Sequence, residues 1–233
     1  MTTATRPKLK AVIFDLDGVL CDTSIYHARA WADLVRAQGH EPPADIEERV
    51  KGVSRMQSLR IALGENAAEY SEAELAAMAA RKNDCYVQAI QGMTGANLFP
   101  GVPRLFRALR EADIRIVLGS ASKNARLVLD RLGITDRFDA IADGHTYSRG
   151  KPDPDVFLTA ARMVGTEPAE CIVIEDAEAG IEAALAGGFT AIGMGNPESL
   201  RKAHVLIDSL EALSVERLRS LHARFAAATA AKR

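Results

Sequence analysis

The pattern of apolar and polar positions divides the chain into an opening strand, a helical region and a region of alternating helices and strands. The unbroken apolar run from Ala11 to Phe14 is typical of a strand that is buried on both faces of a parallel sheet. Helical spacing follows in the stretches 25–38, 46–51, 55–63 and 72–90, and nothing between residues 45 and 91 predicts a strand.

Beyond residue 101, helical and strand patterns alternate. Helices are predicted at 102–112, 123–132, 155–164 and 178–186, and each precedes a strand, at 114–118, 138–142, 171–174 and 189–193. A weaker strand at 204–207 and an Ala-rich C-terminal helix complete the pattern. Such alternation is typical of an α/β fold, with a doubly wound, Rossmann-like parallel sheet and helices on both faces.

The helical region is inserted directly after the first strand, which predicts two domains. We assign residues 1–23 and 95–233 to an α/β core domain and residues 24–94 to an α-helical cap domain. Two linkers join the domains, one near Asp22 to Ser24 and one from Gly92 to Asn97, and these are the candidate hinges.

Composition and charge narrow the class of protein. The chain has 233 residues, a hydrophobic content of 48% and a net charge of −2, which do not indicate binding to nucleic acid or to an anionic membrane. No apolar run approaches the ~20 residues of a membrane span, and the N-terminus lacks the apolar segment of a secretory signal. Three cysteines lie far apart in the sequence, so we expect neither disulfides nor a zinc site. We expect the protein to be cytoplasmic and monomeric.

Polar side chains follow four of the predicted strands. Asp15 and Asp17 follow the first, Ser120 follows the second, Lys151 lies in the loop after the third, and Glu175-Asp176 ends the fourth. Each feature alone is as typical of a turn, a helix start or a solvated loop as of a site. Because ligands of open parallel sheets bind at the carboxyl ends of the strands, all four together predict one site.

The residue types at this edge indicate the chemistry. Crowded carboxylates favour a hard cation, and Mg²⁺ with oxygen ligands is the cation that fits best. Ser120 and the N–H groups that open the next helix, with Lys151, favour a phosphate. A carboxylate beside both is a candidate nucleophile, and a second carboxylate two residues later is a candidate general acid/base.

These stretches resemble the four motifs of the haloacid dehalogenase superfamily, and the resemblance covers essentially the whole chain. It implies that Asp15 is the nucleophile, which forms an aspartyl-phosphate, and that Asp17 is the general acid/base. It also implies a phosphate site and a Mg²⁺ site. The phosphate site comprises Ser120, Ala121 and Lys151; the metal site comprises Asp15, the backbone carbonyl of Asp17 and Asp176, with Glu175 alongside.

The cap resembles that of the β-phosphoglucomutase family in the stretches 26–31, 51–55 and 81–84, as does the core in 120–124. Such enzymes are isomerases of carbohydrate metabolism that interconvert β-D-glucose 1-phosphate and glucose 6-phosphate through bound β-glucose 1,6-bisphosphate. The resemblance places the second phosphate on Arg55, Ser122, Lys123 and Asn124. It places His27, Trp31, Lys51, Gly52, Val53, Ser54, Ser58 and Lys82 on the sugar side. It further implies that cap closure excludes water and positions Asp17.

Three functions compete on this sequence. A mutase must hold a sugar bisphosphate at both ends, and the stretches 51–55 and 122–124 favour it because they supply a second anion site. A Mg²⁺-dependent phosphatase of a small sugar phosphate needs only the core site. A catalytically inactive binding module is the third, and the intact set of Asp15, Asp17, Lys151 and Asp176 argues against it. The partners that we expect are small-molecule sugar phosphates.

Overall fold

The structure is a computed structural model that describes residues 7–230, with side chains described for residues 7–225. Six parallel strands form one sheet: β1 Ala11–Phe14, β2 Arg115–Gly119, β3 Ala140–Ala142, β4 Cys171–Glu175, β5 Thr190–Met194 and β6 Val205–Ile207. Their order across the sheet is β3-β2-β1-β4-β5-β6, which places β1 next to β2 on one side and β4 on the other. The predicted parallel, doubly wound sheet is therefore confirmed.

The inserted region is helical, as predicted. It comprises α1 Ser24–Ala37, α2 Ile46–Arg49, α3 Arg55–Leu63 and α4 Glu72–Ala89. The helices pack around a hydrophobic core of their own, which includes Trp31, Leu59 and Met78. A capping box opens α4: the Ser71 backbone N–H donates to Glu74 at 2.8 Å, and the Glu74 N–H donates back to the Ser71 hydroxyl.

Helices cover both faces of the sheet, and two hydrophobic clusters lie between them and the strands. The core helices are α5 Val102–Glu111, α6 Ala125–Leu132, α7 Asp155–Met163, α8 Glu178–Ala186 and α9 Val215–Ala230. Alternate residues of β1 point to opposite faces, so Val12 and Phe14 join one cluster while Ala11 and Ile13 join the other. This burial on both faces explains why β1 is apolar at every position.

Several element boundaries differ from the predictions by one or two residues. The second strand begins at Arg115 because the Ile114 N–H still closes the preceding helix by donating to the Leu109 carbonyl. Helix α6 begins at Ala125 rather than at Lys123, because the Asn124 N–H donates to the Ser122 hydroxyl in the preceding loop. The spacing of apolar residues in the sequence does not reveal these hydrogen bonds.

The two connections between cap and core run side by side. The Phe99 N–H donates to the Leu20 carbonyl at 2.8 Å, and Cys21 forms an antiparallel bridge with Leu98. This pairing fixes where the chain leaves the core and where it returns. None of the helices in residues 7–230 combines the length and the apolar composition needed to cross a bilayer.

Candidate active site

The four polar strand ends meet at one edge of the sheet. Asp15 follows the last residue of β1, Ser120 follows β2, and Glu175 is the last residue of β4. Lys151, from the loop after β3, reaches the same point and is fully buried with its side chain 0% exposed. The lysine is therefore not a solvated loop residue, although its position beside Pro152 gives no sign of burial in the sequence.

Lys151 bridges two carboxylates. Its Nζ lies 2.5 Å from Asp15 Oδ1 and 2.5 Å from Glu175 Oε1. Burial by itself would lower the pKa of this lysine, but the attraction of the two carboxylates outweighs burial and raises the pKa above its ordinary value. Glu175 Oε2 accepts the Ala177 N–H at 2.7 Å, so both oxygens of Glu175 have donors. Glu175 thus holds Lys151 against Asp15.

Asp15 and Asp17 differ in their surroundings. Burial raises the pKa of Asp15 to about 6, and the charge of Lys151 opposes this rise. Burial and the neighbouring charge of Asp15 raise the pKa of Asp17 to about 7. Among the described residues, Asp17 Oδ1 has no hydrogen-bond partner although it is buried. A carboxyl group with a pKa near neutral pH and an oxygen free to contact a ligand is suited to general acid/base chemistry.

The same edge has a donor set that fits a divalent cation. Asp176 lies beside the aspartates, and burial together with the charges of Glu175 and Asp15 raises its pKa. Gly18 has φ +78°, and a Cβ there would lie 2.0 Å from Asp176 Oδ2, so only glycine leaves room for this carboxylate. Within residues 7–225 no three His, Cys, Asp or Glu side chains form a complete ligand set. A cation held by Asp15 and Asp176 would therefore use backbone and water oxygens as well, as Mg²⁺ does.

Local hydrogen bonds fold the loop between β2 and α6. The Ser122 N–H donates to the Ser120 hydroxyl at 3.1 Å, and the Asn124 N–H donates to the Ser122 hydroxyl at 3.1 Å. The Gly144 N–H donates to the Ser122 carbonyl at 3.1 Å and ties the loop to the segment after β3. The loop leads into the N-terminus of α6, where backbone N–H groups favour an anion.

A buried cluster on the cap faces these residues. Lys82 is 3% exposed, and its Nζ lies 2.6 Å from His27 Nδ1 and 4.4 Å from the centre of the Trp31 ring. Burial and the charge of Arg55 lower the pKa of Lys82 to about 7. Burial and the charge of Lys82 lower the pKa of His27, so neutral His27 accepts a hydrogen bond from Lys82. Trp31 and Lys82, which the resemblance places on the sugar side, are both buried.

Two further cap contacts close over the core. Lys51 Nζ lies 3.1 Å from Glu48 and 4.0 Å from Asp176, so the cap supplies a cation at the edge of the carboxylate group. Gly52 has φ +68°, and a Cβ there would lie 2.8 Å from the Cβ of Ala177. At Gly52 the cap therefore lies so close to the core that only glycine fits without strain.

One pocket lies between the cap and the strand ends. Its lining includes most of the predicted site residues: Asp15, Asp17, His27, Trp31, Lys51, Gly52, Val53, Arg55, Ser58, Lys82, Ala121, Ser122, Lys123, Asn124 and Asp176. Four predicted residues do not line it. Ser120, Lys151 and Glu175 are buried beneath it, and Ser54 instead lies across from Gly150.

The pocket also contains residues that the sequence did not assign to a site, namely Ser24, Glu47, Val50 and Asn83. Ser24 was predicted only as part of the first linker, and its hydroxyl lies 2.7 Å from Asp22 Oδ1 and 3.0 Å from Glu47 Oε1. Asn83 lies in the stretch 81–84 that resembles the cap family, which was the one available signal for it.

Comparisons with known proteins identify the family. A family model for haloacid dehalogenase-like hydrolases matches residues 9–188. The chain belongs to the haloacid dehalogenase-like hydrolases. Members similar to it include the β-phosphoglucomutase of Bacillus subtilis, with 43% identity over 90% of this chain and 94% of the relative. The crystal structure of a Clostridium difficile β-phosphoglucomutase has a TM-score of 0.90 and 40% identity, and covers 93% of this chain and 98% of that chain.

Not every similar member of the family is a mutase by name. Hexitol phosphatase A of Escherichia coli is 30% identical over 89% of this chain and 94% of the relative. The resemblance that the sequence predicted, to the haloacid dehalogenase superfamily and to β-phosphoglucomutase within it, is confirmed.

Proposed function

We propose that this haloacid dehalogenase-like protein is a β-phosphoglucomutase, which interconverts β-D-glucose 1-phosphate and glucose 6-phosphate. The reaction would pass through an aspartyl-phosphate on Asp15 and a bound β-glucose 1,6-bisphosphate that also serves as primer. The similarity to two β-phosphoglucomutases over more than nine tenths of their length supports this assignment. Sugar phosphates would be the partners, and the cytoplasmic location and monomeric state expected from the sequence stay predictions.

The observation that carries the proposal is the presence of two candidate anion sites in one pocket. The first lies at Asp15, which lines the pocket and contacts the buried ammonium of Lys151, and a phosphoryl group can be transferred there. The second consists of Arg55 on the cap and Asn124 on the core, whose side chains both donate to Asn83 Oδ1 and line the same pocket. A bisphosphate needs both, whereas hydrolysis of a monophosphate needs only the first.

The residues supply a complete sequence of steps. Asp17 removes the proton from the C6 hydroxyl of glucose 1-phosphate, and that oxygen attacks the phosphorus on Asp15, which releases the Asp15 carboxylate. The bisphosphate then turns over in the pocket. An Asp15 oxygen attacks the phosphorus at C1, and Asp17 gives its proton to the departing C1 oxygen. The pKa of Asp17, raised to about 7, suits a group that must act first as base and then as acid.

Lys151 carries a positive charge throughout the reaction, because its two carboxylate partners keep it protonated. Its ammonium lies against Asp15 and would stabilise negative charge that develops on the transferred phosphoryl oxygens. Mg²⁺ bound by Asp15, the Asp17 carbonyl and Asp176 would neutralise further charge on that group when present. A direct ligand role for Glu175 stays a prediction.

A phosphatase of a small sugar phosphate is the second candidate, and the similarity to hexitol phosphatase A favours it. It would use the same nucleophile and differ only in the acceptor, since water instead of a sugar hydroxyl would attack the phosphoryl group on Asp15. The cap residues decide between the two, because they determine whether a second phosphate is held and whether water reaches Asp15.

A phosphorus NMR time course tests the proposal. The protein is incubated with Mg²⁺, β-glucose 1-phosphate and a trace of glucose 1,6-bisphosphate. We expect the resonance of glucose 6-phosphate to appear. Accumulation of inorganic phosphate alone would refute the mutase and favour the phosphatase. An Asp15→Asn variant serves as the control that should lose either activity, and turnover that persists in it would refute Asp15 as the nucleophile.

A further inference from the structure

Asn83 links three separate parts of the molecule through one oxygen atom. Its Oδ1 accepts a hydrogen bond from Arg55 Nη2 at 2.7 Å and another from Asn124 Nδ2 at 2.8 Å. Asn83 lies on α4, Arg55 begins α3, and Asn124 immediately precedes α6 of the core. An amide oxygen has two lone pairs and can accept both bonds at once. The contact therefore joins two cap helices to the core loop that leads to the candidate phosphate site.

The two donors are those that the second phosphate would need. A phosphate oxygen accepts from a guanidinium and an amide at the same distances, and the bond from the guanidinium becomes stronger because both partners are then charged. We propose that Asn83 is a positioning residue, which holds Arg55 and Asn124 together before the ligand arrives and yields both donors to the phosphate that is not being transferred. This inference rests on the proposed function, since a mutase must hold a phosphate there that is not being transferred.

The side chain of Asn83 is uncharged, and this suits a site that binds an anion. Burial lowers the pKa of Arg55 and outweighs the attraction of Asp84, so the half-buried guanidinium is short of negative partners. The amide of Asn83 satisfies its hydrogen bond without neutralising its charge. A carboxylate at position 83 would neutralise Arg55 and repel the incoming phosphate, so the type of residue matters as well as its shape.

The physical gain is preorganisation. Arg55 carries a long side chain, and fixing such a side chain on binding costs conformational entropy. Asn83 restricts Arg55 and Asn124 in the free protein, so less order has to be created when the ligand binds. Because one donor comes from the cap and the other from the core, the same contact also favours the docked position of the cap over the strand ends.

The test compares Asn83→Ala with Asn83→Asp. We expect Asn83→Ala to raise KM for β-glucose 1-phosphate about tenfold with little change in kcat, because the long Arg55 side chain must then be ordered when the ligand binds. Asn83→Asp keeps the acceptor and the shape, yet we expect it to raise KM further because the carboxylate competes with the phosphate for Arg55. Gln88→Ala, an exposed amide on the same helix, is the matched control and should leave KM unchanged.

Binding without turnover gives a second readout. In an Asp15→Asn background, titration calorimetry with glucose 1,6-bisphosphate should show the same order of affinities, with Asn83 tightest, then Asn83→Ala, then Asn83→Asp. Unchanged KM and affinity in Asn83→Ala, or Asn83→Asp binding as tightly as the parent protein, would overturn the inference. If the parent protein forms no glucose 6-phosphate, the proposed function fails instead, so the two failures are distinguishable.

Discussion

Removal of the Lys151 ammonium is the most direct test of the buried charges at the active site. Lys151→Met keeps the length of the side chain and leaves Asp15 and Glu175 buried without their shared partner. Breaking a buried ion pair by removing one member costs about 3–5 kcal/mol. Solvent screening does not reduce this figure, because the Lys151 side chain is 0% exposed. We therefore expect the free energy of unfolding to fall by about 4 kcal/mol.

A double-mutant cycle isolates the pair from the other effects of substitution. Glu175→Gln alone keeps an acceptor for the Ala177 N–H and leaves Lys151 paired with Asp15, so we expect a loss of about 1–3 kcal/mol. In the Lys151→Met background, the same change removes one of the two uncompensated charges and should cost less. We expect a coupling energy of about 2 kcal/mol between the two positions.

The assay is urea unfolding of the four proteins at pH 7 in the presence of a chelator, followed by far-UV circular dichroism. Lys202→Met is the matched control, because Lys202 also pairs with two carboxylates, Glu178 and Glu182, but has a side chain 43% exposed. An exposed pair contributes at most about 1 kcal/mol. A loss in Lys151→Met no larger than in Lys202→Met, or a coupling energy near zero, would refute the reasoning.

Three further predictions concern the cap, the cap–core contact and the C-terminal helix. Arg55→Ala should lower kcat/KM for β-glucose 1-phosphate about 10–100-fold, since a hydrogen bond to a charged group contributes about 1.5–3 kcal/mol. Hydrolysis of acetyl phosphate, which has no second phosphate, should largely persist. Equal losses in both reactions would contradict the second anion site. Gly52→Ala should lower kcat/KM more than Gly39→Ala. Both glycines have positive φ, but of the two only Gly52 has another atom, the Cβ of Ala177, where an added Cβ would lie. Equal kinetics of the two variants would show that the close cap–core contact has no part in the mechanism. His222 is buried, its Nε2 has no partner among the described residues, and burial lowers its pKa below the ordinary 6.5. Below pH 6.5 the histidine of the unfolded chain takes up a proton, whereas His222 of the folded protein does not. The stability that neutral, buried His222 contributes is therefore complete above pH 6.5. It decreases as the pH falls, by at most about 1.4 kcal/mol per pH unit. Urea unfolding at pH 7.5 and 5.5 should show a weaker dependence on pH in His222→Leu than in the parent, and identical dependence would contradict this role.

The sequence by itself determined the architecture and the core of the site. The spacing of apolar residues is a local property, and each strand and helix of the core was found from it to within one or two residues at most boundaries. The placement of Asp15, Ser120 and Glu175 followed from the same pattern, because a residue at the carboxyl end of a parallel strand must lie at that edge of the sheet. No knowledge of long-range packing was needed for these assignments.

Only the tertiary structure decided how these groups are paired. Lys151 and Asp15 are 136 positions apart, and nothing local to either indicates that the lysine is buried between two carboxylates. The same holds for Lys82 against His27, 55 positions apart, and for Asn83 against Asn124, 41 positions apart. Each of these contacts depends on where the cap packs on the core or how the loops fold back on the sheet. Because that packing is the sum of many distant contacts, periodicity and motifs could name candidate residues, whereas the bonds between them required the fold.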